Sequence, residues 1–128
     1  MLKDTFFTLL SSEYTDNGCT CRIALNALHA IFQAHFAGNP IMPGACILQM
    51  IKELTADYYK RSFFVCAVKN MKFLHAINPL ESPEISVQLS FKQQENDRIS
   101  ASVVLNNNDI IFVKSALILD FKNVNHFV

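Results

Sequence analysis

The sequence is poor in the features that mark several large functional classes. Its 128 residues carry 11 basic and 11 acidic side chains, a formal net charge of zero. No basic stripe is therefore available to recruit nucleic acid, and no cationic amphipathic helix marks a membrane binder. No stretch approaches the run of about 18 apolar residues that a membrane span requires. The opening Met1-Leu2-Lys3-Asp4-Thr5-Phe6-Phe7 lacks the long apolar core and small-residue cleavage site of a secretory leader. The four cysteines, Cys19, Cys21, Cys46 and Cys66, are too few and too unevenly spaced for a disulfide scaffold. They read as buried thiols in a reducing cytoplasm. Cys19 and Cys21 have no second ligand pair to make a zinc site, and neither a metal nor a cofactor is expected. Glycine is also scarce, three residues against eleven phenylalanines, which points to a packed, strand-rich interior.

What is present is enough apolar material, 51% of the chain, to bury a real core in one domain over residues 1–128. Leu2, Phe6, Leu9 and Leu10 fall on one side of a short helix expected over residues 2–10. A polar, turn-like stretch from Ser11 to Gly18 follows. Cys19, Cys21, Ile23 and Leu25 then alternate with polar neighbours as a half-buried strand. A helix is expected from about Gly44 to Lys60. Its first half is apolar nearly all round except at Gln49, so it should be enclosed on most sides by a sheet. Phe63 to Val68 suits a central strand, and Met71 and Phe73 belong to the next. Ile85 to Phe91 and Ile99 to Leu105 alternate cleanly, the Asn106–Asp109 stretch makes a hairpin turn, and Ile110 to Phe121 is the last strand. One long helix and about six mostly antiparallel strands give an α+β fold, a curled sheet around a central helix. Sheets of this kind pair edge to edge across a two-fold axis, so an oligomer is expected.

The most informative stretch runs from Phe32 to Met50. His35 sits in an apolar setting, a Gly/Pro-punctuated loop follows, and Pro43-Gly44 opens the helix. Proline is tolerated in the first helical turn, where its missing N–H would be unpaired anyway. Gly44 leaves bare backbone for a ligand to approach. The amides after Pro43 carry partial positive charge and can hold a carbonyl oxygen that becomes negative. A base and an oxyanion site thus lie one short loop apart. Taken singly, His35 and Gln49 would read as satisfied core residues, and the Phe and Met side chains as core packing. Lys52, Glu53, Asp57, Lys60 and Arg61 read as a solvated helix end.

Phe32, His35, Phe36, Gly38, Pro40, Pro43 and Gly44 together resemble the active-site segment of the 3-hydroxyacyl-(acyl-carrier-protein) dehydratases of the FabZ/FabA type, which have the hot-dog fold. Three positions depart from that pattern: Ala34 replaces a glycine, Ala37 a proline, and Gln49 the catalytic acid. The resemblance implies an acyl-carrier-protein or CoA thioester substrate in fatty-acid or polyketide-type synthesis. It makes His35 the base, Gly44 and Ala45 the oxyanion donors, and Gln49 the occupant of the acid's place. Phe32, Phe36, Ile41, Met42, Pro43, Ile47 and Met50 would line the acyl slot, and Glu53, one turn beyond Gln49, is the candidate substitute acid. The implied assembly is a homodimer or hexamer, or a heterodimer in which a second subunit brings the acid. A non-catalytic acyl-binding partner and a hot-dog thioesterase are the other two readings.

Overall fold

The computed structural model describes residues 2–34 and 40–121. The elements in chain order are β1 (Phe7–Thr15), β2 (Gly18–Leu25), α1 (Ala30–Ala34), α2 (Gly44–Tyr59), β3 (Phe63–Phe73), β4 (Glu84–Gln93), β5 (Arg98–Asn107) and β6 (Ile110–Phe121). The six strands form one antiparallel sheet in the order β1-β2-β4-β5-β6-β3.

The period-two segments behave as their side chains dictate. Cys19, Cys21, Ile23 and Leu25 of β2, Ile85, Val87, Leu89 and Phe91 of β4, and Ile99, Ala101, Val103 and Leu105 of β5 are all buried. Register places them against one another, with Cys21 opposite Val87 and Leu89 opposite Val103. The β5–β6 hairpin turns at Asn108, whose φ of 47° suits an asparagine. Gly18 is required where β2 begins, because a Cβ there would lie 2.2 Å from the Leu89 carbonyl oxygen.

The amino-terminal expectation is overturned. Residues 2–10 are not a helix; Leu2 to Phe6 make a tight turn and the strand starts at Phe7. The Leu2 carbonyl accepts the N–H groups of Thr5, Phe6 and Phe7, and Asp4 sits at φ 68°. The turn expected over Ser11 to Gly18 shrinks to Asp16-Asn17, since Ser11 to Thr15 pair with β2. Local helical spacing lost to a ladder running from Phe7↔Leu25 to Thr15↔Gly18, a tertiary gain no short-range pattern reports.

The two strands expected over Phe63–Val68 and near Met71 are a single strand, and it lies at the sheet edge. Two register shifts against β6, at Val65/Ala67 and Val68/Asn70, bend it without ending it. Its apolar run had suggested a central position, yet Phe64 and Val68 are exposed. The count of six strands therefore holds for a different reason: one pair merged and β1 was added.

Helix α2 buries Cys46, Ile47, Met50, Ile51 and Leu54 in the same core as the strands. Full burial of each such side chain contributes roughly 1.5–3 kcal/mol relative to exposure. The helix is not enclosed on every side in the single chain. Ala45 is exposed, and Leu48, Gln49, Lys52 and Ala56 are only half-buried. It ends at Lys60, which adopts the left-handed conformation.

Candidate functional site

Pro43 is the N-cap of α2, with extended backbone (φ −68°, ψ 147°) and no side-chain cap. The first donors to find a partner inside the helix are the N–H groups of Cys46 and Ile47, both reaching the Pro43 carbonyl, at 3.0 and 3.2 Å. The amides of Gly44 and Ala45 lie ahead of them, in the first turn where a helix has no internal acceptor. The approach to the helix is fixed by Met42, whose N–H donates to the Ile77 carbonyl at 2.8 Å. Met42 and Ile77 are both buried, Ile41 and Pro43 half-buried. The space over Gly44 is taken by the Phe73 ring, whose Cζ would stand 3.2 Å from an added Cβ. The sequence reading put Phe73 in a strand but not at the helix start, because it arrives from β3, far along the chain.

Phe32 and Met50 are closed into the core. Phe32 stacks on Phe6 with ring centroids 4.7 Å apart. Phe6 also meets His29 edge-on at 5.4 Å, and the His29 Nδ1 accepts the N–H of Ile31 at the start of α1. His29 is thus a structural residue of this turn. His35 and Phe36 lie outside the described residues.

The second half of the site differs from expectation. Glu53 is not part of a solvated helix end; it is only 6% exposed. Its Oε2 accepts the Leu2 N–H at 2.8 Å and the Gln49 Nε2 at 2.9 Å, and its Oε1 accepts the Lys3 N–H at 2.9 Å. The Lys3 ammonium pairs with Asp57 at 2.9 Å, which holds the lysine above the usual range. The amino-terminal turn is therefore clamped to α2 through two carboxylates one helical turn apart. To act as an acid, Glu53 would first have to release one of these donors. Sequence reasoning missed the clamp because its donors are backbone amides about fifty residues away, and amides carry no residue-type signal.

The thiols divide in a way the sequence did not show. Cys19, Cys21 and Cys46 are buried as expected, but Cys66 is exposed on β3. Cys19 and Cys21 lie 3.9 Å apart and share a thiol hydrogen bond. In that bond the Cys21 S–H donates to the Cys19 Sγ; once Cys21 ionises, the Cys19 thiol can return the bond, which lowers Cys21 to about 7 and raises Cys19. Burial pushes the Cys46 thiol up. Among the described residues no three His, Cys, Asp or Glu side chains cluster as a metal site, and no helix is long and apolar enough to cross a membrane. A depression lined by Asn70, Lys72, Ser102, Val104 and Lys114 opens across β3, β5 and β6. The period-two alternation sets Lys72 on the opposite face from Phe73 and the helix start.

The chain is similar to the FabZ 3-hydroxyacyl-(acyl-carrier-protein) dehydratase of Latilactobacillus sakei, 39% identical over 77 residues, 55% of this chain and 53% of that one. It is 31% identical over 67 residues to the Caulobacter vibrioides FabZ, covering 45% and 42% of the two. The chain spans about half the length of the curated relatives it matches. Among solved structures, the dehydratase heterocomplex ApeI:P from Xenorhabdus doucetiae superposes with a TM-score of 0.65 at 14% identity, over 88% of this chain and 96% of that one. A mutant thioesterase from Pseudomonas aeruginosa superposes at 0.62 and 10% identity, over 91% and 81%. The family model for ApeI dehydratase matches residues 11–112, and on that match the chain belongs to the ApeI-like dehydratases, a FabZ-like family with the hot-dog fold.

Proposed function

We propose that the chain binds 3-hydroxyacyl thioesters of acyl-carrier-protein or CoA at the start of α2 and works as a dehydratase-type subunit. The observation that carries this reading is the uncapped helix start at Gly44, directly after Pro43, where the motif calls for oxyanion donors. In the proposed reaction His35 removes a proton from the carbon beside the thioester. The electron pair left behind forms the double bond to the next carbon, whose bond to the hydroxyl oxygen breaks. The amides of Gly44 and Ala45 hold the thioester oxygen while it carries negative charge. The hydroxyl must take up a proton to leave as water; Gln49 has none to give in the useful range, so in the single chain solvent water supplies it and the protonated His35 returns its own proton to solvent. Absence of a general acid costs on the order of 10² to 10⁴ in rate. Ile41, Met42 and Pro43, with Phe36, form the near wall of the acyl slot in this reading.

A second reading is favoured by the state of Glu53. Its oxygens are engaged by Leu2, Lys3 and Gln49, so it is poorly placed to replace the acid. The chain then serves as the partner of a subunit that brings a carboxylate, the two joined along the open β3 edge, where Phe64 and Val68 lie exposed. The same engagement weakens the thioesterase reading, which needs a carboxylate or an activated water near the helix.

The test is hydration of a crotonyl thioester, followed at the enoyl absorbance. Slow hydration by the chain alone, abolished by His35→Ala, supports the dehydratase-type site. Release of free thiol instead of hydration would overturn it in favour of the thioesterase.

A further inference from the structure

We propose that Glu53 is a positioning residue: it turns the Gln49 side chain so that the carbonyl oxygen, and not the amide nitrogen, faces the acyl slot. Position 49 then selects a ligand carrying a 3-hydroxyl over one carrying a 3-oxo group. This rests on the reading that the start of α2 holds the acyl thioester.

An isolated glutamine presents donors on one side of its amide and an acceptor on the other, and the two ends are close to isosteric. Gln49 is not isolated. A carboxylate oxygen of Glu53 lies 2.9 Å from its Nε2. A carboxylate only accepts, so the opposite orientation would set two acceptors against each other. The carboxylate cannot swing aside to relieve this, because the Leu2 and Lys3 amides hold both of its oxygens and Lys3 is tied down again by Asp57. Ala45, Gln49 and Glu53 succeed one another at four-residue spacing, so they share one helix face. Along that face burial rises from exposed Ala45 through half-buried Gln49 to buried Glu53. The amide nitrogen points to the closed end of this row, and the carbonyl oxygen is left toward the helix start. A 3-hydroxyl can donate to that oxygen. A 3-oxo group offers only lone pairs and meets a second acceptor, which leaves both unpaired.

The experiment uses the intact protein and two analogues with the thioester sulfur replaced by a methylene, 3-hydroxybutyryl- and 3-oxobutyryl-pantetheine, with binding read by calorimetry. The wild type should prefer the hydroxy analogue about tenfold, the worth of one net hydrogen bond. Glu53→Met frees the Gln49 amide to rotate and should bring the ratio close to one. Gln49→Met, which leaves the clamp on Leu2 and Lys3 in place, should do the same and carries the test if Glu53→Met does not fold. The Gln49 side-chain amide gives a second readout: its Nε2 protons, bonded to the Glu53 carboxylate, should exchange slowly with water in the wild type and faster in Glu53→Met. Binding of both analogues with equal affinity by the wild type, or a ratio unchanged in either variant, overturns the selectivity. Binding of neither analogue, with the Gln49 amide protons still protected from exchange, overturns the acyl-slot reading itself and the selectivity with it.

Discussion

Replacing Gln49 by glutamate sets a second carboxyl against Glu53 at a position where the present contact is 2.9 Å. Two unit charges about 3 Å apart repel by about 6 kcal/mol at an effective dielectric near 20. Taking up one proton at pH 7.5 costs an ordinary glutamate about 4 kcal/mol, at 1.4 kcal/mol for each pH unit above its usual value near 4.3. Protonation is the cheaper course, so the pair should hold one shared proton through neutral pH, and the penalty is capped near that second figure. The sign follows from linkage. The folded variant binds a proton more tightly than the unfolded chain, so the penalty is absent below about pH 4 and grows as pH rises. Urea denaturation of wild type and Gln49→Glu at pH 5 and pH 7.5 should therefore show a stability gap that widens by about 3 kcal/mol. The shared proton is also an acid at the place where the family keeps one, so crotonyl-thioester hydration should rise at least about tenfold, the low side of a general acid's worth. A gap that does not change with pH would mean that residues 49 and 53 are not in contact. An unchanged hydration rate would mean that residue 49 does not stand where the leaving hydroxyl sits.

Gly18→Ala should cost about 3 kcal/mol or more, since the new methyl would meet the Leu89 carbonyl oxygen at 2.2 Å and backbone would have to move; a denaturation midpoint within error of the wild type would contradict the β2–β4 register. Cys21 should titrate near 7 in the thiolate absorbance, and Cys19→Ala should move that midpoint upward by removing the donor that holds the thiolate. Because the folded Cys21 ionises below the ordinary thiol value of 9.0, it adds stability that grows between pH 7 and 9 and is lost as pH falls through 7. The wild type should pull ahead of Cys19→Ala over that window, and a gap independent of pH would refute the contact.

Much of the fold follows from side-chain periods alone. A strand with one buried face must alternate, and β2, β4 and β5 do so residue by residue. Pro43-Gly44 marks the helix start because proline fits only the first turn, and the Asn/Asp run before Ile110 marks a hairpin because those residues tolerate positive φ. The motif around that start could be proposed for the same reason, its residues being local and of distinctive type. Other features had no local cause. Leu2, Phe6, Leu9 and Leu10 keep helical spacing, yet the ladder with β2 makes a strand from Phe7 onward. Phe63–Val68 reads as doubly buried, yet chain order sends it to the edge beside β6.

The sequence by itself determined which faces are apolar and where the helix begins. Only the tertiary structure decided that Glu53 would be buried and engaged, because its partners are the backbone amides of Leu2 and Lys3. Their position depends on how β1 docks, and a hydrogen bond between residues fifty positions apart exists only once the chain has folded.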